Sequence, residues 1–364
     1  MKVCIFGDTT SVHLQRIVPG LAARGLSVHV VTHKSARLVG ATVERFHVPP
    51  PSLARPFRWE TRRQRYLREF FSRFDVVHVH FLADWGLSPQ LLQTGCFLAT
   101  PWGSDLVTPP GEGNPSPTVQ QAQRMMLRHA TLVTAWGATF ARTVAQFAGI
   151  AHESIALLPL GVDLELFRAD AQAVRLRTGK RVGFFKGFRP VYGGRRLIEA
   201  MPFILRELPD VCFELIGDGA DLPACRKLAA ELNVAASVDW LPTQPHHRLP
   251  GFLAHWDVAV VPSVCESFGV AALEASAMEV PVVGSRTGGL VETVRDGETG
   301  LLVTPDSPEE LAGAIVRLLR DDGLRRRMGA AGRSMVARDY EWNGILDEWV
   351  RTYARARDRF AAAA

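Results

Sequence analysis

Short, nearly all-apolar runs alternate along this chain with longer stretches of helical period. Residues 3–6, 27–32, 75–80, 97–100 and 132–135 read as strands in the first half. Residues 181–185, 212–216, 238–241, 258–262 and 281–284 read as strands in the second. Strands that do not alternate polar with apolar are buried on both faces, which is the mark of parallel sheets covered by helices. Two such series predict an α/β chain of two doubly wound, Rossmann-like domains facing across a cleft. A further strand at 155–158 ends in Pro159-Leu160-Gly161 and runs into a polar stretch, so the boundary is placed between residues 160 and 171. The domains are then 1–165 and 166–340. Ligands of such sheets bind beyond the carboxyl ends of the strands, so the chemistry is sought in the loops that follow them.

Composition narrows the class. At ~150 residues per domain, 364 residues suit two domains. Hydrophobic residues make up 47% and charged residues 22%, as in soluble globular proteins. No apolar run reaches the roughly 18 residues of a membrane helix, and the opening MKVCIFGDTTS is too briefly apolar for a signal peptide. A cytoplasmic setting is expected. The five cysteines are scattered without a CxxC pair, so neither a metal nor a resident cofactor is expected. A net charge of +5 is mild for a nucleic-acid binder, and no nucleic-acid partner is expected. It suits an anionic substrate or membrane surface. Residues 55–74, RPFRWETRRQRYLREFFSRF, carry seven Arg against two Glu, with Trp59, Tyr66, Phe70 and Phe74 at helical spacing. Two readings stand. One is a basic helix lying on the anionic inner face of a membrane; the other is a core-packed helix with a solvated Arg face.

Residues 258–303 are the most informative. A strand leads into a loop carrying Glu266, Gly269 opens a helix containing Glu274, and another strand follows. One glutamate precedes the helix and the other lies about one turn inside it, so both can face one ligand at different depths. The helix start offers unpaired N–H groups and a positive dipole end, a seat for a diphosphate or sugar oxygens. A carboxylate suits sugar or ribose hydroxyls. Spacing alone is equally compatible with solvated helix-start charges.

Here the chain resembles the retaining glycosyltransferases of family 4, which have the GT-B fold. Glu266-Ser267-Phe268-Gly269 through Glu274 matches the family's E-x7-E motif, and Pro281–Val283, Gly288-Gly289 and Asp296-Gly297-Glu298-Thr299-Gly300 follow in order. Pro159 to Asp163 with Phe167 resembles the interdomain linker, and Leu215 to Gly219 the strand and loop beside the nucleotide base. The resemblance implies that Glu274 holds the donor ribose, that Glu266 contacts the transferred sugar, and that the backbone of Ser267, Phe268, Gly269 and Val270 lines the pocket beside Gly217. It also implies that residues 341–364 form a helix crossing back onto the first domain. Lys186 fills the first of two usual diphosphate cations. Tyr192 stands where the second is expected, and Arg189 or Arg195 is left to supply it.

In the first domain Gly7-Asp8-Thr9-Thr10-Ser11 follows the first strand and opens a helix. It is no GxGxxG. The family places this loop across from the donor diphosphate, so Gly7, Thr10 and Ser11 are candidates, although Thr10 or Ser11 can equally cap the helix. His13 lies one turn further. His78 and His80 share a strand face without a third metal ligand; His80 either reaches the acceptor or is a buried structural histidine. Trp102 stands where many family members have a His and can pack on a sugar ring. Asp105 is the polar candidate beside the acceptor. The catalytic candidates are therefore Lys186, Glu266, Asp105 and His80, with Trp102, Asp105 and His13 toward the acceptor. The resulting expectation is a retaining transferase that moves a hexosyl-type sugar from a UDP- or GDP-sugar to a carbohydrate, lipid-linked or small-molecule acceptor. The rival is a nucleotide-sugar epimerase or hydrolase of the same fold.

Overall fold

The structure, a computed structural model, describes residues 1–34, 37–45, 56–82, 92–106, 115–168 and 179–363, with the backbone alone for 56–63. It divides into two compact units. One is drawn from Met1 to Pro159 together with Asn343–Ala364, and the other is Leu160–Trp342.

The first unit holds seven parallel strands: β1 (Lys2–Phe6), β2 (Ser27–Thr32), β3 (Ala41–Arg45), β4 (Val76–His80), β5 (Phe97–Thr100), β6 (Leu132–Ala135) and β7 (Ile155–Leu157). Their order is β3-β2-β1-β4-β5-β6-β7. The second unit has six: β8 (Arg181–Phe184), β9 (Cys212–Ile216), β10 (Val238–Leu241), β11 (Val258–Val261), β12 (Val282–Ser285) and β13 (Gly300–Val303), in the order β10-β9-β8-β11-β12-β13. Both sheets step outward in one direction and then reverse. The reversal falls between β1 and β4 in the first sheet and between β8 and β11 in the second. A crevice opens where strand order reverses, so the loops after these four strands are the ones positioned to hold ligands.

Two strands escaped the sequence pattern. β3 reads ATVER and sits on an edge, half-buried or exposed along its whole length, so it carries no apolar run. β13 is four residues long inside the Gly-rich motif.

The last helix, Trp342–Ala363, packs on the first unit. A side chain on Gly20 would lie 2.4 Å from Leu346, Arg24 pairs with Asp347 at 2.5 Å, and Trp349 and Tyr353 are completely buried. The helix Pro56–Phe71 buries Leu67, Phe70 and Phe71, and the Phe70 ring meets His29 of β2 at 5.8 Å. Phe70 is thus a core residue rather than part of an outward aromatic face, while Tyr66 stays exposed. Arg55 and the side chain of Trp59 lie outside the described residues. Among the described residues, no helix is long and apolar enough to cross a membrane.

Candidate active site

In the second unit the loops after β8 and β11 are locked together. The N–H of Val264 donates to the carbonyl of Val191 (2.9 Å), and Gly193, at φ 70°, passes so close to Pro262 that a Cβ would lie 1.9 Å from its carbonyl oxygen. Only glycine combines that backbone angle with that approach. This locking brings Lys186 from the first loop onto Glu266 from the second: the ammonium bonds Oε2 of Glu266, and the Ser263 hydroxyl reaches the same oxygen at 3.0 Å. The Lys186 ammonium also stands 4.3 Å from the centre of the Tyr192 ring. The residue found in place of a second cation therefore faces the first one as a cation–π partner.

Neither arginine considered for that missing charge is directed at Lys186 by a described contact. Arg195 bonds Glu199 on its own helix at 2.8 Å, and Arg189 is exposed at the head of a short 3-10 turn. Gly217, in the loop after β9, comes within Cβ distance (2.3 Å) of the Lys186 carbonyl and so borders the same loop.

Behind Glu266 the backbone turns sharply. Gly288 would place a Cβ 1.8 Å from the Glu266 carbonyl, and the Gly289 N–H donates to that carbonyl at 2.9 Å. Gly269 (φ 103°) caps the helix Val270–Ala277. Phe268 is buried with its ring against Tyr340. Ser267 and Val270 flank it, both partly exposed. Glu274 is 6% exposed and lies one turn into the helix. Its Oε1 is 2.7 Å from Nε2 of His246, a residue the sequence analysis missed because nothing in PTQPHHRLP marks a partner on a later helix.

In the first unit, a pocket of about 290 Å³ is lined by Gly7, Ser11, Lys34, His80, Phe81 and Trp102, among others. Asp8 gathers the Thr10 hydroxyl (2.6 Å), the Thr10 N–H (2.9 Å) and the Lys34 ammonium (2.8 Å). Burial, the largest single influence, pushes its carboxyl up, but these contacts together hold it below the usual range. Thr10 therefore serves Asp8. Ser11 occupies the cap position of the helix Val12–Ala23 without a side-chain capping bond. The His13 ring lies 5.4 Å from Trp102. Phe81 holds φ 62°, a strained angle for its type, at the pocket wall.

His80 is completely buried. Its ring stacks on Trp349 at 5.4 Å, and its Nδ1 receives the Trp102 indole N–H at 3.3 Å. Burial drives its pKa down to about 3, so it stays neutral. His78 is buried beside it, bonded to Tyr353 (2.9 Å) and Thr100 (2.6 Å), and its pKa is also lowered by burial and by His80. Asp105 is engaged by its own loop and by Leu82. Oδ1 accepts the N–H groups of Trp102 and Gly103, and Oδ2 that of Leu82, all at 2.8 Å. Both oxygens bond backbone N–H groups, the group is 4% exposed, and burial raises its pKa. It anchors the backbone of Trp102. Among the described residues, no group of three or more His, Cys, Asp or Glu is placed to hold a metal ion.

Comparison with known proteins agrees with this architecture. Residues 10–166 match the family model described as Glycosyltransferase Family 4, and residues 168–335 that described as Glycosyl transferases group 1. The chain is 31% identical over 402 residues to a D-inositol 3-phosphate glycosyltransferase of Acidothermus cellulolyticus, covering 97% of this chain and 87% of that one. A GDP-mannose-dependent alpha-(1-6)-phosphatidylinositol monomannoside mannosyltransferase of Mycolicibacterium smegmatis is 35% identical over 219 residues, 55% of this chain and 56% of that one. Among solved structures, sucrose-phosphate synthase from Thermosynechococcus elongatus superposes with a TM-score of 0.79 at 21% identity, covering 100% of both chains. Anabaena HepE in complex with UDP and glucose does so with a TM-score of 0.79 at 19% identity, covering 98% of this chain and 100% of that one. Two parallel α/β units of this kind define a glycosyltransferase of GT-B architecture. The chain belongs to the family 4 glycosyltransferases.

Proposed function

We propose that the protein is a retaining hexosyltransferase. Its second unit holds a UDP- or GDP-sugar, and its first unit binds the acceptor whose hydroxyl receives the sugar. The observation that carries this reading is the convergence of Lys186, Ser263 and Glu266 from the two loops at the switch point of the second sheet. Glu274 lies on the helix that the second of those loops opens. Bond breaking at the anomeric carbon throws negative charge onto the leaving diphosphate, and a fixed ammonium is most useful where charge develops. Lys186 supplies it. The donor diphosphate exchanges with Glu266 for that ammonium, which turns the Glu266 carboxylate toward the sugar hydroxyls, while Glu274 accepts the ribose hydroxyls.

Retention has separate support. An inverting reaction needs a general base on the far face of the sugar. His80, with a pKa of about 3, is a very weak base, and Asp105 is buried with its oxygens holding backbone N–H groups. On this reading the leaving phosphate takes the acceptor proton on the face where it departs, and the protein contributes position and electrostatics. The acceptor is a hydroxyl-rich molecule, free or lipid-linked. The relatives named above, whose names give inositol phosphate and a phosphatidylinositol monomannoside, support that class.

The donor is first fixed by thermal shift across nucleotide diphosphates. Proton NMR coupling at the anomeric carbon of the product is then compared with that of the donor. The same configuration is expected, and an inverted product overturns the reading. Donor incubated alone tests the rival: fast release of free or epimerised sugar without acceptor would favour an epimerase or hydrolase.

A further inference from the structure

We infer that His246 is a positioning residue for Glu274, holding its carboxylate in the orientation that accepts the ribose of the donor. This rests on the reading of Glu274 as the ribose-binding group.

Glu274 sits on the helix Val270–Ala277 between the buried apolar residues Leu273 and Ala275. A carboxylate in such a place needs a donor. Among the described residues its one side-chain partner is His246, whose Nε2 is 2.7 Å from Oε1. An ionised carboxylate only accepts, so Nε2 carries the proton in this pair. Oε1 is thereby taken, while among the described residues no hydrogen bond engages Oε2, which is the oxygen offered to a ligand hydroxyl.

The histidine is itself held. It opens the one-turn 3-10 helix His246–Arg248 that follows β10, on the carboxyl side of the sheet where ligands gather. Its ring meets that of Phe167 at 5.2 Å. Phe167 is fully buried, and its carbonyl is bonded by Arg333 at 3.1 Å. A wall behind the imidazole and a carboxylate in front leave the pair little rotational freedom. Preorganisation of this kind lowers the ordering cost of binding without adding a contact to the ligand.

The test measures, by calorimetry, binding of the preferred nucleoside diphosphate and of its 2′- and 3′-deoxy forms to the full-length protein. Glu274→Ala, His246→Ala, the double variant and His246→Gln, whose amide can occupy the place of Nε2, are compared. Glu274→Ala is expected to weaken the ribonucleotide ~10–100-fold and the deoxy form lacking the bonded hydroxyl far less. His246→Ala should reproduce part of that loss with the same dependence on the hydroxyl, add nothing on top of Glu274→Ala, and be rescued by His246→Gln. Equal losses for ribo and deoxy forms, or losses additive with Glu274→Ala, overturn the inference. A normal Glu274→Ala would sink the assignment of Glu274 itself. A responsive Glu274→Ala beside a silent His246→Ala sinks only the role of His246.

Discussion

Lys186 and Glu266, eighty positions apart in sequence, form an ion pair in which each side chain is 12% exposed. Ser263, on the same loop as Glu266, bonds the same carboxylate oxygen and so holds the carboxylate in place. On the proposed reading, an incoming diphosphate competes with Glu266 for this ammonium. The pair therefore keeps the cation desolvated and in place before the donor arrives, and reorganisation during the reaction is small.

Lys186→Ala is accordingly expected to lower turnover by ~10²–10³-fold, as for removal of a group that stabilises developing charge, with a smaller loss of nucleotide affinity. Initial-rate kinetics beside calorimetry separate the two. The double variant Lys186→Ala/Glu266→Gln controls for the carboxylate left unpaired. Normal turnover with only an affinity loss would remove Lys186 from the chemistry.

Gly288 and Gly297 both adopt positive φ, 46° and 80°, but only Gly288 has a neighbour in the way: a Cβ there would meet the Glu266 carbonyl at 1.8 Å, whereas nothing lies within 4 Å of one at Gly297. Gly297→Ala should cost about 1–2 kcal/mol of backbone strain and leave kcat alone. Gly288→Ala must also move the Glu266 loop, so kcat should fall as well as Tm. Equal effects of the two would show that the contact does not position Glu266.

For Asp105 the expected phenotype is structural. Asp105→Ala leaves three backbone N–H groups without their acceptor and should cost ~2–3 kcal/mol, measured by urea unfolding. Turnover per folded molecule should stay within a few-fold. A large fall in kcat at unchanged stability would restore Asp105 to the catalytic set.

His80 makes stability depend on pH in a defined window. Burial pushes its pKa down to about 3, against about 6.5 in an unfolded chain. Between these values the unfolded chain binds a proton that the folded one refuses. Stability is therefore full above 6.5 and falls as pH drops toward 3, by about 1.4 kcal/mol per pH unit from this one group. His78 is shifted in the same direction and steepens the fall. Urea midpoints at pH 7 and pH 5 should differ more for the natural protein than for His80→Phe. Equal differences would mean that His80 is not held neutral.

The strands were legible because burial on both faces leaves a local trace: β2, β5, β6 and β9 fall where the apolar runs lie. β3 left no such trace, because ATVER on a half-exposed edge has no apolar run to detect. The segment around Glu266 and Glu274 was legible as well, since a strand, a loop and a helix start are consecutive in the chain and carry their chemistry at fixed spacing.

Partnerships between side chains were decided only by the tertiary structure. Asp105 read in sequence as the polar candidate beside the acceptor, and the fold placed three N–H groups around it. His80 could be read from sequence either as reaching the acceptor or as a buried structural histidine. The final helix covered it with Trp349 and covered His78 with Tyr353, a bonding partner 275 positions away. His246 gave no signal because its partner lies 28 residues further along, on another element. Hydrophobic period is written within each segment, so the sequence by itself determined the two parallel α/β sheets. Which charges neutralise one another depends on strand order and on loops meeting at a switch point, and no local stretch of chain contains that information.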